Sequence, residues 1–341
     1  MKSKFTKAAM AGCAVLALQG AALAQDKVVL KFADWMSLSH YTVSQAAVPF
    51  MDKVKELSDG KLEIQHFPAE QLGKAKDALS LVQSGVADIA NISPSYIPDK
   101  FALTSVAELP AMFGTACEGS KAVAKLVEGD GIIAEREYKP NNVHVLTSIA
   151  YAPYKVGTVK KAIRKADDFR GLKLRTAGGA MDLTAAALGA ISVRMPGPDI
   201  LPSMTRGTLD GALFPLQSVR VFDLQTVLKH QTTDVSLGSF VTTYVISDRV
   251  WQTLSEENRK ILTEAGHFAA NAHCAYVDAE EPKAIESLAA DGVAPNTMDE
   301  GELAIIEKEL AGVQQQWAKS LDDRGRPGSD TLKAFVEAVG K

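Results

Sequence analysis

The stretch Phe169-Arg170-Gly171-Leu172-Lys173-Leu174-Arg175-Thr176-Ala177-Gly178-Gly179 holds the residue best placed to do chemistry. Gly171 to Thr176 reads as a strand that carries Arg175 near its carboxyl end. A small-residue turn follows, then a helix from about Ala180 to Leu188, ended by Gly189. In open α/β folds, ligands bind off the carboxyl ends of strands. A guanidinium there can grip a carboxylate through two parallel N–H···O bonds. Free amides at the helix start add attraction for an anion. Taken alone, the same residues also fit an arginine in a surface salt bridge.

The other candidates for chemistry read as structural. His40, His66, His144, His230, His267 and His273 show no H-E-x-x-H or other ligand spacing, and His267 and His273, six apart on a helix, face apart. Gly129-Asp130-Gly131-Ile132-Ile133-Ala134 mimics a dinucleotide fingerprint but follows the helix-like run Ala122 to Val127, so it reads as a loop between helices. Neither a G-x-S-x-G nor a P-loop occurs. No catalytic constellation, metal or cofactor is therefore expected.

The elements that must position Arg175 alternate. Val28 to Phe32 reads as a buried strand, Tyr41 to Leu57 as a helix, Leu62 to Phe67 as a strand ending at Pro68, and Ala75 to Val82 as a helix ended by Gly85. Ala87 to Ala90 begins a third strand. Further strands are expected at Val143 to Ile149, Val193 to Met195, Gly211 to Phe214 and Phe240 to Ile246, with a short helix at Asp199 to Met204. A long helix starts at the N-cap Ser255, with Glu256 and Glu257 in its first turn, and Pro282 is expected to kink or end it. A last helix spans about Glu302 to Leu321, and Arg324 to Gly328 is loop. The order predicts α/β layers with a mainly parallel sheet.

The N-terminus has the three parts of a secretory signal peptide. They are Lys2, Lys4 and Lys7 without an acid, an apolar run from Ala8 to Leu23, and the exit Ala22-Leu23-Ala24. The run is short for a membrane span, which needs about 20 apolar residues. Met10-Ala11-Gly12-Cys13 loosely resembles a lipoprotein box, but the apolar segment continues past it, so lipidation is the lesser reading. Cleavage after Ala24 takes the formal charge from −4 to −7. A mildly acidic chain with scattered charges lacks the basic face that nucleic acid requires. No second long apolar segment follows, which predicts a soluble exported chain. Cys117 and Cys274 are then the two remaining cysteines. In an oxidising compartment they pair or stay as buried thiols, and no C-x-x-C points to a redox or zinc motif. The 341 residues suggest roughly two domains.

An ordered set of short motifs resembles the solute-binding proteins of TRAP transporters, the tripartite ATP-independent periplasmic systems of the DctP type. The set is Pro68-Ala69-Glu70-Gln71-Leu72-Gly73, Gln83-Ser84-Gly85-Val86-Ala87-Asp88, Gly171 to Arg175, Leu188-Gly189-Ala190, Met195-Pro196 and Arg206-Gly207-Thr208-Leu209-Asp210-Gly211-Ala212. It covers nearly the whole chain after the leader. The resemblance implies a two-lobed, type II-like periplasmic binding fold with crossover strands and a long spanning helix. Lobe one would hold 26–152 and 241–280, and lobe two 153–240 and 281–341 with the C-terminal helices.

The resemblance also implies a small organic acid gripped by Arg175, with Lys155 or its neighbour Tyr154 at a second basic position. Small and large membrane subunits would receive the solute. Positions that are polar in relatives binding sugar acids are here Trp35, Ser93, Tyr96, Phe214 and Phe240, with Gln217, Asp34 and Ser218 as weaker polar candidates. Burying an unpaired hydroxyl against such walls costs about 1–3 kcal/mol, so an apolar or aromatic acid is the better fit. Phe214 and Phe240 also fit plain core positions. A ligand sensor feeding a receptor kinase is the alternative, and a periplasmic enzyme acting on acids a remote one.

Overall fold

The protein is described by a computed structural model over residues 27–340. The leader, its exit at Ala24 and Cys13 lie outside the described residues. Among the described residues, eleven strands form two sheets. The first takes β1 (Val28–Ala33), β2 (Leu62–Phe67), β3 (Ile89–Ile92), β4 (Val143–Ala150) and β10 (Val241–Ser247). The second takes β5 (Lys155–Thr158), β6 (Lys173–Thr176), β7 (Ile191–Arg194), β8 (Gly211–Phe214), β9 (His230–Thr232) and β11 (Ala294–Asn296). The spatial orders are β2-β1-β3-β10-β4 and β11-β9-β5-β8-β6-β7. The chain thus fills most of the first sheet, passes to the second, returns for β10, and goes back once more for β11.

Both sheets are mixed, which corrects the expectation of a mainly parallel sheet. β1 runs parallel to β2 and β3, and β6 parallel to β7 and β8, as strand–helix–strand units require. β10 is antiparallel to β3 and β4, and β5 to β8 and β9, because these strands enter from the other sheet. The four-residue β8 is buried on both faces. Leu213 joins the larger apolar core, whereas Ala212 and Phe214 join a smaller one with Ile200, Met204 and Leu288. That alternation is the period-two geometry of a strand.

The helices are α1 (Val48–Leu57), α2 (Ala78–Gln83), α3 (Ala116–Val127), α4 (Ala180–Ala187), α5 (Ile200–Thr205), α6 (Leu216–Val219), α7 (Asp248–Thr253), α8 (Glu256–Ala290), α9 (Glu302–Leu310), α10 (Val313–Asp322) and α11 (Gly328–Val339). α8 has 35 residues, roughly 50 Å of helix. Ser255 caps it through a hydrogen bond from the Asn258 amide at 3.1 Å. It packs along α1, α3 and β4, and its far end reaches α6 and β11. Gly266 lets it lie directly on β4, since a side chain there would overlap the Leu146 carbonyl. Pro282 does not end α8, which continues to Ala290. Proline removes one donor, that to the Asp278 carbonyl, and the packing on both sides keeps the helix continuous.

Two further expectations change at the C-terminus. The segment Glu302 to Leu321 is two helices, α9 and α10, separated at Ala311-Gly312. α11 was not expected at all, and it packs on α3 beside the first sheet. Cys117 and Cys274 form a disulfide joining the first turn of α3 to α8. One turn along α8, Asp278 accepts from the Ala116 and Cys117 amides at 2.6 and 3.1 Å, so side chains of α8 cap α3. Among the described residues no helix is long and apolar enough to cross a membrane.

Candidate ligand-binding site

Arg175 lies on β6 opposite Ala212 of β8, and Lys155 of β5 lies opposite Phe214. Paired residues share a sheet face, so Arg175, Phe214 and Lys155 point the same way, away from Leu174 and Leu213. The Arg175 guanidinium sits over the Phe214 ring, 5.4 Å from its centroid. The whole side chain is shielded, with 0% exposure. Its Nε donates to the Met195 carbonyl at 2.9 Å, Nη1 to the Leu213 carbonyl at 3.4 Å, and Nη2 to the Tyr96 hydroxyl at 3.5 Å. These partners are neutral and two of the bonds are long. Among the described residues Arg175 makes no ion pair. A buried charge without a counter-ion costs several kcal/mol.

Tyr96 brings the first sheet to this cation. It ends the turn Pro94–Tyr96 that follows β3, and its hydroxyl accepts from the Gly197 amide of the second-sheet side at 3.1 Å. From Tyr96 an aromatic wall extends in two directions. Trp35, just past β1, meets its ring edge-on at 5.7 Å, and Phe240 lies 5.4 Å away. Phe240 continues to Tyr154 at 6.4 Å, and Tyr154 to Phe214 at 6.1 Å, back beside Arg175. Burial pushes the Tyr96 and Tyr154 hydroxyls up, so both stay protonated. The Trp35 indole Nε1 and the Ser93 Oγ are buried without hydrogen-bond partners.

The remaining sequence candidates have partners of their own. Lys155 is buried, but its Nζ lies 3.7 Å from Glu281 of α8, so its charge is already balanced. Gln217 donates to the Val277 carbonyl at 3.2 Å and lines a groove of about 420 Å³ with Tyr41, Arg220, Tyr276 and Lys283. Asp34 is occupied structurally, accepting from the Met36 amide and Asn91 at 3.0 Å and facing His66 at 3.2 Å. Ser218 bonds the Tyr41 hydroxyl at 3.0 Å, tying the β1 side of the molecule to α6.

Sequence reasoning missed Glu108, which ends the turn Thr104–Glu108 and has no exposure. Ser95 Oγ donates to its Oε1, its Oε2 has no partner, and burial pushes its pKa up to about 8. Gly179, at φ 59°, caps α4 directly against it, and a side-chain carbon there would come within 2.9 Å of Oε2. His40 and His273 were also unremarkable in sequence. Both are buried around Tyr41, with ring centroids 4.7 and 5.6 Å away, and burial lowers each to about 3. Nothing in the local pattern around these three residues marks them, because their burial is created by distant segments.

Two mixed α/β sheets meeting over a shielded cation are the architecture of a solute-binding protein. The chain belongs to the bacterial extracellular solute-binding proteins of family 7 (DctP), whose model matches residues 34–320. It is a component of transport and a binding protein, not an enzyme. A TRAP solute-binding protein from a marine metagenome, specific for aromatic acid ligands and crystallised with 3-hydroxybenzoate, is 26% identical to it; the match covers 92% of this chain and 98% of that one, with a TM-score of 0.85. A TRAP solute-binding protein of Rhodoferax ferrireducens in complex with benzoate is similar in fold, at 23% identity and TM-score 0.83 over 92% and 97% of the two chains. The C4-dicarboxylate-binding periplasmic protein DctP of Rhodobacter capsulatus is 22% identical over 338 residues, 96% of this chain and 95% of that protein.

Proposed function

We propose that this protein captures a small aromatic monocarboxylate in the periplasm and delivers it to the membrane subunits of a TRAP transporter. The observation that carries the reading is Arg175, a fully buried guanidinium that among the described residues donates to neutral oxygens and lies over an aromatic face, with no ion pair. A carboxylate would supply the missing charge through a two-bond grip. Trp35, Tyr96, Phe240, Tyr154 and Phe214 would then flank a flat body. With Lys155 held by Glu281, Arg175 is the cation without an ion pair at this site among the described residues, which fits one carboxylate better than two. The 3-hydroxybenzoate bound by the marine relative supports the same class.

Capture would work by closure of two lobes, one around each sheet, with α8 spanning both. Tyr96 on Gly197 and Tyr41 on Ser218 are contacts that such closure would make. A solute that touches both lobes favours the closed form by its differential affinity. Thermal unfolding of the purified protein across a library of organic acids tests the reading. An acid at a hundred times its dissociation constant adds about 2.7 kcal/mol, so benzoate and hydroxybenzoates should raise the melting temperature. Stabilisation by sugar acids or C4-dicarboxylates instead of aryl acids would refute the class.

A further inference from the structure

Glu108 is a buried acid that a carboxylate grip by Arg175 leaves unused. The groups facing it can be named from each packed element. Ser95 Oγ and the Val241 amide hydrogen-bond it, and Arg175, Asp182 and the hydroxyls of Tyr96, Tyr138 and Tyr154 act on it through space. Asp182 is ion-paired with Arg194 and accepts from Thr176. The three tyrosines are held protonated by burial. The unbalanced charge facing Glu108 is therefore Arg175.

We propose that Glu108 is a specificity-determining acid of the ligand site, which must carry a proton when the solute is held. Glu108 is bonded by Ser95, the chain neighbour of the Tyr96 that meets Arg175 Nη2, so its carboxylate and the solute's carboxylate would share the field of one charge. Arg175 with a single carboxylate leaves the closed site neutral. A second carboxylate in the same shielded volume would be uncompensated, and protonation removes that cost. The unpaired Oε2 is free to take the proton, which comes from solvent; no other bond changes. Burial pushes Glu108 up to about 8, opposed first by the Ser95 and Val241 hydrogen bonds and then by the field of Arg175. A bound carboxylate cancels that field and raises Glu108 further, so capture at alkaline pH takes up a proton. The same arithmetic disfavours a dicarboxylate, whose second charge would find no unpaired cation at the site among the described residues.

This inference rests on the aryl-acid reading above. The test is calorimetric titration of the purified protein with benzoate, at about pH 6 and about pH 9, in two buffers of different ionisation enthalpy. The wild type should take up about one proton per benzoate at the higher pH, and its affinity should fall by up to about tenfold per pH unit above 8. Glu108→Gln, which keeps shape but cannot ionise, should lose the proton uptake and the fall in benzoate affinity between pH 6 and pH 9. Benzoate binding in the wild type without proton uptake and with a flat profile would overturn the proposal. So would a Glu108→Gln protein that keeps the wild-type slope. The proton count on the wild type decides the matter even if the variant fails to fold. No benzoate heat at either pH would overturn the aryl-acid reading itself, and this proposal with it.

Discussion

In the proposed reading, Arg175 decides the class of ligand because of what surrounds it. Its contacts are carbonyl oxygens, a phenol and a ring face, so its charge is shielded but not balanced. A planar fork over Phe214 is also a geometry that lysine does not reproduce. Arg175→Lys should weaken benzoate binding by about tenfold or more; titration calorimetry checks this, and unchanged affinity would mean that only the charge matters. Removing one wall residue, by Trp35→Ala or Phe214→Ala, should also cost about tenfold each, as for other buried aromatic anchors. If both variants bind as the wild type does, the aromatic wall is core and not ligand surface. The strand, small-residue turn and helix start around Arg175 were legible in the sequence because they are local features. Glu108 and the Glu281 partner of Lys155 were not, since each is set by segments far away in the chain.

At the scale of elements, α8 organises the molecule. It carries half of the disulfide, the carboxylate that caps α3, and the glycine that admits it to β4. The Cys117–Cys274 link closes a segment of 157 residues, worth about 5 kcal/mol on the chain-entropy account. The Cys117→Ala/Cys274→Ala double variant should therefore lose several kcal/mol in chemical denaturation; a loss near zero would show that the unfolded chain is already restricted there. Gly179→Ala places a side-chain carbon at φ 59° against Glu108 and should destabilise by about 1–3 kcal/mol. The start of α8 was legible from Ser255 and its acidic first turn. Its passage through Pro282 was not, because local rules weigh the lost donor but not the packing on either side. α11 escaped notice because the loop before it offers no capping side chain: Pro327 stands at its N-cap.

For the whole molecule, α/β layers were foreshadowed by the alternation of strand and helix, whereas two lobes with crossover strands were implied by the family resemblance alone. The mixed character of the sheets was not foreshadowed, since the direction of β10 and β5 depends on which sheet the chain has just left. Global stability should show a plateau in pH. His40 and His273, near 3 when folded against 6.5 ordinarily, stabilise above 6.5 and lose that contribution as pH falls toward 3. Glu108 and Glu137, raised by burial to about 8 and about 7, do the reverse, losing stability as pH rises from 4.5 toward those values. Melting temperature against pH should thus be highest between about 4.5 and 6.5 and fall on both sides. A steady rise from pH 5 to about 8 would contradict these assignments.

The central claim, that one buried guanidinium holds the carboxylate of an aryl acid, is tested most directly by titrating benzoate into the wild type and into Arg175→Ala. The account predicts saturable binding by the wild type and none by the variant, with the variant's melting temperature unchanged or higher because a buried unbalanced charge is gone. Equal affinity of the two proteins for benzoate would contradict it.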